Sequence, residues 1–174
     1  MRKARRRQRI RSFAPIAGRG ARVLILGSMP GQKSLDAGQY YAHKQNAFWR
    51  IVGELLGVDP HAPYRKRVQA LKSAGIALWD VLHSCKRDGS MDSSIERDSE
   101  IANDFHDFFR SHPKISHVFF NGAKAAASYN RVVLPELGIH ALRYSRLPST
   151  SPAHASVAYK GKLAAWRSIL KEEK

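Results

Sequence analysis

Only one cysteine, Cys85, occurs in 174 residues, so no internal disulfide can form and no thiolate set can hold zinc or an iron–sulfur cluster. A reducing, cytosol-like compartment is expected. Cys85 lies in no motif and reads as a small packing residue. Long apolar runs are also missing: every stretch falls far short of the ~20 residues a membrane span needs. The arginine cluster at the amino end has no apolar segment of signal-peptide length behind it, so the chain is expected to be soluble and not secreted. Acidic residues are scarce, 14 against 30 Lys+Arg, which leaves a net charge of +16 and a pI near 10.5. Absent as well are the lysine-bearing phosphate loop, the three-glycine dinucleotide fingerprint and the nucleophile elbow. Nucleoside triphosphates, NAD and serine-hydrolase chemistry are therefore poor guesses, and neither cofactor nor metal is expected.

What the chain does have is positive charge, which points to polyanions. Arg2, Lys3, Arg5, Arg6, Arg7, Arg9 and Arg11 supply seven of the charges, and the remainder still carries +9. Residues 1–20 are expected to form a basic, flexible tail that neutralises phosphates, and residues 21–174 a single domain.

Within that domain "RVLILG" (22–27) is a continuous apolar run ending at glycine, the pattern of a strand buried on both faces. From Asn46, the residues Phe48, Ile51, Val52, Leu55 and Leu56 recur at helical spacing until Gly57. "GIALWDVL" (75–82) reads as a second strand with Asp80 near its carboxyl end. Residues 83–100 read as a long polar loop, followed by a helix carrying Ile101, Phe105, Phe108 and Phe109. "HVFFNG" (117–122) is a third strand, residues 139–156 begin as a fourth, and a last helix places Leu163, Trp166 and Leu170 on one face. Four strands alternating with helices predict an α/β domain, a three-layer αβα arrangement around a mainly parallel four-stranded sheet. Ligands of such sheets bind beyond the carboxyl ends of the strands. The segments expected there are "GSMPG", the loop from Asp80 to Ser94, "NG" at 121–122, and "LPSTSPAH".

Each segment has a structural reading beside a chemical one. "GSMPG" is either a strained turn or the wall of a pocket. Asn46 is a natural helix N-cap, and equally an amide at the mouth of the crevice. Tyr40 and Tyr41 precede the helix and fall outside its apolar stripe, so a ring there could stack on a planar base. Asn121, at the end of a buried strand, needs partners that a ligand edge can supply. The hydroxyls of "PSTSPAH" either begin a helix or hold a phosphate at a helix entry.

Together "GSMPG…YYAHKQNAFWR", "GIALWDVL", "FFNG" and "LPSTSPA" resemble the uracil-DNA glycosylase superfamily, most of all its hypoxanthine-DNA glycosylase branch, over roughly residues 22–170. The resemblance implies a monofunctional glycosylase that flips a deaminated base from DNA, hypoxanthine first and uracil second, and lets water replace it at C1′, leaving an abasic site. It implies Asn46 as the catalytic amide, because Met29 stands where other branches carry a water-positioning Asp or Asn; Asp80 is the reserve general base. Ser28, Met29, Pro30, Gly31, Tyr41 and Asn121 are expected to bind the base, and Ser149, Ser151 and His154 the flanking phosphates. Ser149 replaces a histidine and Ala153 a bulkier wedge, so duplex invasion is expected to be weaker or to use another side chain. The expected partner is DNA containing deaminated bases, bound by a monomer, in the cytoplasm with the nucleoid if the source is prokaryotic. The rival is a non-catalytic DNA- or RNA-binding module on the same fold.

Overall fold

The computed structural model describes residues 8–138 and 141–171. Its centre is a four-stranded sheet of β2 (Val23–Gly27), β3 (Ile76–Asp80), β6 (His117–Asn121) and β7 (Arg143–Leu147), in the order β3-β2-β6-β7. All three pairings are parallel, as the sequence predicts. Residues 139 and 140, where the fourth strand was expected to begin, lie outside the described residues.

Alternation along β2 explains the three layers. Leu24 and Leu26 point to one face, where they join Trp79, Phe120 and the phenylalanines of α4 (Phe105–Ser111). Ile25 points to the other, against α2 (Phe48–Leu56), Leu71 of α3 (Tyr64–Ser73), and α7 (Tyr159–Trp166). Leu24, Ile25 and Leu26 are wholly buried, each stabilising the fold by roughly 1.5–3 kcal/mol. α5 (Ala123–Val132) follows β6 and packs Ala125 and Tyr129 on the first face; α6 (Leu134–Leu137) closes that crossover.

Three expectations need correction. Residues 8–20 are not a free tail: β1 (Arg9–Arg11) pairs antiparallel with β4 (Leu82–Lys86), and Ile16 bridges Leu78. The guanidinium of Arg9 donates to Ser84 Oγ (2.8 Å) and to the carbonyl of Ser99 (3.0 Å), which ties this end down. Residues 1–7 lie outside the described residues. Nor is 83–100 a plain loop. β4 is the middle strand of a second, three-stranded sheet completed by β5 (Ile101–Ala102), with two 3₁₀ turns between them. Ile101 is therefore exposed in a strand, and α4 starts at Phe105, where Asp104 caps it. At the carboxyl end α7 gives way to a 3₁₀ turn, Arg167–Leu170. That tighter winding turns Ile169 inward and leaves Leu170 exposed.

Strand order positions the site. The chain leaves β2 towards β3 on one side and leaves β6 towards β7 on the other, so a crevice opens between the carboxyl ends of β2 and β6.

Candidate active site

A cavity of about 490 Å³ occupies this crevice. It is bordered by Asn46, Asp80, Tyr41 and Asn121, by Ser28–Gly31, and by Ser149, Ser151 and His154, so every residue proposed from the sequence faces one space.

The "GSMPG" wall is held by its carbonyls. Those of Gly27 and Ser28 accept from Val81 N (2.8 Å) and Leu82 N (3.2 Å), and that of Pro30 accepts from Arg87 Nη2 (2.6 Å). Arg87 is buried, and desolvation pulls its pKa below the ordinary range. Ser28 Oγ donates to Asp92 Oδ1 (2.6 Å). Arg87 and Asp92 thus anchor this wall, and neither was visible in a segment without periodicity. After Gly31 a short helix, α1 (Gln32–Ala37), stands where the sequence showed only a loop.

Tyr41 has φ 54°, a left-handed conformation costly for a tyrosine. It turns the ring onto Phe48, with centroids 4.1 Å apart and planes at 24°. One ring face is therefore taken by the core, and only the other is left for a ligand. Burial, with Asp80 nearby, pushes the Tyr41 hydroxyl far above its ordinary pKa, so it keeps its proton.

Asn121 is gripped at both ends. Its Nδ2 donates to Tyr41 Oη (3.1 Å) and Thr150 Oγ1 (2.9 Å), and its Oδ1 accepts from Thr150 N (2.9 Å). Rotating the amide would set Nδ2 against the Thr150 N–H, so the backbone donor fixes which end is which. Both amide hydrogens are then occupied, and one lone pair on Oδ1 remains. Thr150 is buried, and its own carbonyl accepts from Ala47 N (3.0 Å), linking Asn121 to the head of α2. The sequence placed Thr150 among hydroxyls; its role as a junction depends on contacts from three distant segments.

Asn46 lies one residue before the cap position, which Ala47 occupies. Its Oδ1 accepts from Phe48 N (3.0 Å), while no described residue accepts from its Nδ2. It therefore supports the helix start with one end of the amide and leaves the other to the cavity.

Asp80 is 3% exposed, and its Oδ2 has no hydrogen-bond partner among the described residues, so this oxygen caps nothing. Desolvation, reinforced by Asp92 and opposed by Arg87, lifts its pKa to about 7. A buried carboxyl titrating near neutrality in a cavity is suited to proton transfer. Gly27 makes room for it: a Cβ there would sit 2.6 Å from Asp80 Oδ1 and 2.9 Å from Tyr41 Oη.

The "PSTSPAH" segment is not a helix entry, because α7 begins only at Tyr159. It is a chain of turns in which Ser149 Oγ accepts from Ser151 N (3.2 Å) and Ser151 Oγ from Ala153 N (3.2 Å). α7 fastens it from behind: Lys162 Nζ donates to the His154 carbonyl (2.7 Å) and Trp166 Nε1 to that of Pro148 (2.9 Å). Among the described residues no group of three His, Cys, Asp or Glu could hold a metal ion, and no helix is long and apolar enough to cross a membrane.

Comparison with known proteins fits this geometry. A hypoxanthine DNA glycosylase of Methanosarcina barkeri (strain Fusaro) is 41% identical over 114 residues, 65% of this chain and 71% of the relative. A hypoxanthine DNA glycosylase of Methanosarcina acetivorans is 40% identical over 116 residues, 66% of this chain and 72% of its own length. A solution NMR structure from Methanosarcina acetivorans, described as a candidate uracil DNA glycosylase, superposes with a TM-score of 0.76 at 32% identity, covering 93% of this chain and 99% of that one. The sequence model of the Uracil DNA glycosylase superfamily matches residues 15–172, and the chain belongs to that superfamily.

Proposed function

We propose that the protein is a monofunctional DNA glycosylase of base-excision repair, hydrolysing the N-glycosidic bond of a flipped deaminated base, hypoxanthine first and uracil second. The observation that carries this reading is the convergence of Asn46, Asp80, Tyr41 and the two-ended grip on Asn121 in a single cavity. Hypoxanthine and uracil each present a ring N–H beside a carbonyl. The remaining lone pair of Asn121 Oδ1 accepts from that N–H, whereas adenine presents a bare nitrogen lone pair at the same place and is repelled. The Tyr41 hydroxyl, which accepts from Asn121, keeps its own proton to donate to the base carbonyl, and the ring face away from Phe48 flanks the base.

Asn46 orients the water and stabilises the oxocarbenium-like sugar electrostatically. As the water oxygen bonds to C1′, the electrons of the glycosidic bond leave with the base. The water's proton passes to Asp80 or solvent, and the departing base is protonated in turn. Ser149, Ser151 and His154 hold the adjacent phosphates, and the basic body supplies non-specific attraction. The protein works as a monomer on cytoplasmic DNA.

Oligonucleotides carrying deoxyinosine or deoxyuridine, incubated with excess enzyme and then cleaved with alkali at abasic sites, test the reading. Strand cleavage at the modified position is expected; tight, salt-sensitive binding with no abasic product from either would establish the non-catalytic rival. Asn46→Ala is expected to slow release by roughly 100-fold or more. A merely structural Asn46 would lower stability by about 1 kcal/mol and leave release unchanged.

A further inference from the structure

Flipping a nucleotide opens a flat, apolar slot between two base pairs, and unstacking each step costs a few kcal/mol unless something fills it. Such a side chain must be large, apolar, exposed before DNA arrives, and seated on the rim of the cavity that takes the base. Ala153 is exposed on the "PSTSPAH" rim, but a methyl group is too small to bridge two base pairs. The large exposed hydrophobic residues among those described are Met91, Ile101, Leu134, Tyr144 and Leu170; of these, Met91 alone borders the cavity. It is 52% exposed and stands between polar neighbours, Ser90 and Asp92.

The turn that carries Met91 is rigidly attached to the cavity wall. Gln32 N donates to Ser90 Oγ (2.9 Å), and Ser28 Oγ donates to Asp92 Oδ1 (2.6 Å), so the residues on both sides are tied to the "GSMPG" loop and its helix. Arg87 braces the base of the turn through the carbonyls of Gly89 (2.9 Å) and Pro30 (2.6 Å). Ser94 N donates to the Met91 carbonyl (3.0 Å), which fixes its backbone. The fold thus presents a half-exposed apolar side chain at the edge of the cavity on a turn fastened on both sides. An unbranched thioether is well suited to an irregular, partly unstacked gap.

We propose that Met91 enters the duplex at the place vacated by the flipped nucleotide, from the turn fastened to the "GSMPG" wall rather than from the "PSTSPAH" turns that carry Ala153. This rests on the glycosylase reading above. The test compares single-turnover base release from deoxyinosine in duplex and in single-stranded DNA of the same sequence, where there is no stack to plug. Met91→Ala is expected to lose about tenfold or more on duplex, which corresponds to ~1.4 kcal/mol, to change single-strand release less than about twofold, and Met91→Leu to recover the duplex rate. Equal loss on both substrates would make Met91 part of the base pocket and overturn the inference, as would an unaffected duplex rate. A second measurement uses 2-aminopurine beside the deoxyinosine in duplex: binding of the wild type brightens it and Met91→Ala leaves it dim. Equal brightening by both proteins refutes the wedge even if single strands are not cleaved. If the wild type releases no base from any substrate, the glycosylase reading itself fails, and the inference falls with it.

Discussion

Replacing Asp80 by Asn removes one titrating oxygen from a buried site and barely changes its shape. The structure gives the effect a size and a sign. In the folded chain the carboxyl holds its proton up to about pH 7, whereas its ordinary value is near 3.8. Between those two values the folded state binds a proton that the unfolded state has released, so stability falls as pH rises through this window and levels off above it. At 1.36 kcal/mol for each pH unit of displacement, the total is on the order of 4 kcal/mol. For a chain of this length that is roughly 8–16 °C in melting temperature. Asp92 and the other carboxylates titrate in both proteins, so the quantity to compare is the difference between wild type and Asp80→Asn, followed by thermal melts from pH 4 to pH 8. The variant should gain progressively on the wild type as pH rises and keep its advantage above about pH 7.5. Parallel melting curves would refute the buried, raised carboxyl. Base release carries a second reading: if ionised Asp80 accepts the water's proton, wild-type rates climb through about pH 7 and the variant's profile is flat and low.

Two further substitutions address the same cavity. Thr150→Val keeps the backbone donor to Asn121 Oδ1 but deletes the acceptor of its Nδ2. It should cost about 1–3 kcal/mol and, because the backbone donor remains, keep the preference for deoxyinosine over deoxyadenosine in kcat/KM; loss of that preference would show that the hydroxyl, and not the backbone N–H, orients the amide. Gly27→Ala drives a methyl against Asp80 and Tyr41, so a loss of roughly 1–3 kcal/mol in urea unfolding and of base release is expected, and a variant indistinguishable from wild type would contradict the close approach.

The main sheet and its neighbouring helices were legible because their signals are local. The unbroken apolar run of β2 and the helical stripe of α2 each report burial without reference to anything distant. The positions of Asp80 and Asn121 followed, since both close strands whose carboxyl ends must share a crevice. Less could be read where structure depends on remote partners. Strand β4 has five residues and pairs with Arg9–Arg11 on one side and Ile101–Ala102 on the other, so nothing near it in sequence marks it as a strand. The helix expected from Ile101 starts four residues later because Asp104, not an apolar residue, sets its beginning. The orientation of Asn121 was undetermined for the same reason: its partners Tyr41 and Thr150 lie 80 and 29 residues away.

The attachment of the "PSTSPAH" turns to α7 through Lys162 and Trp166 bears on the order in which the molecule becomes competent. On a ribosome, β2, α2 and β6 emerge first and can assemble the crevice, but its "PSTSPAH" rim has no backing until Trp166 has left the exit tunnel. A nascent chain bearing most of the pocket would therefore meet DNA with one rim unsupported, and competence would arrive late, with the last helix.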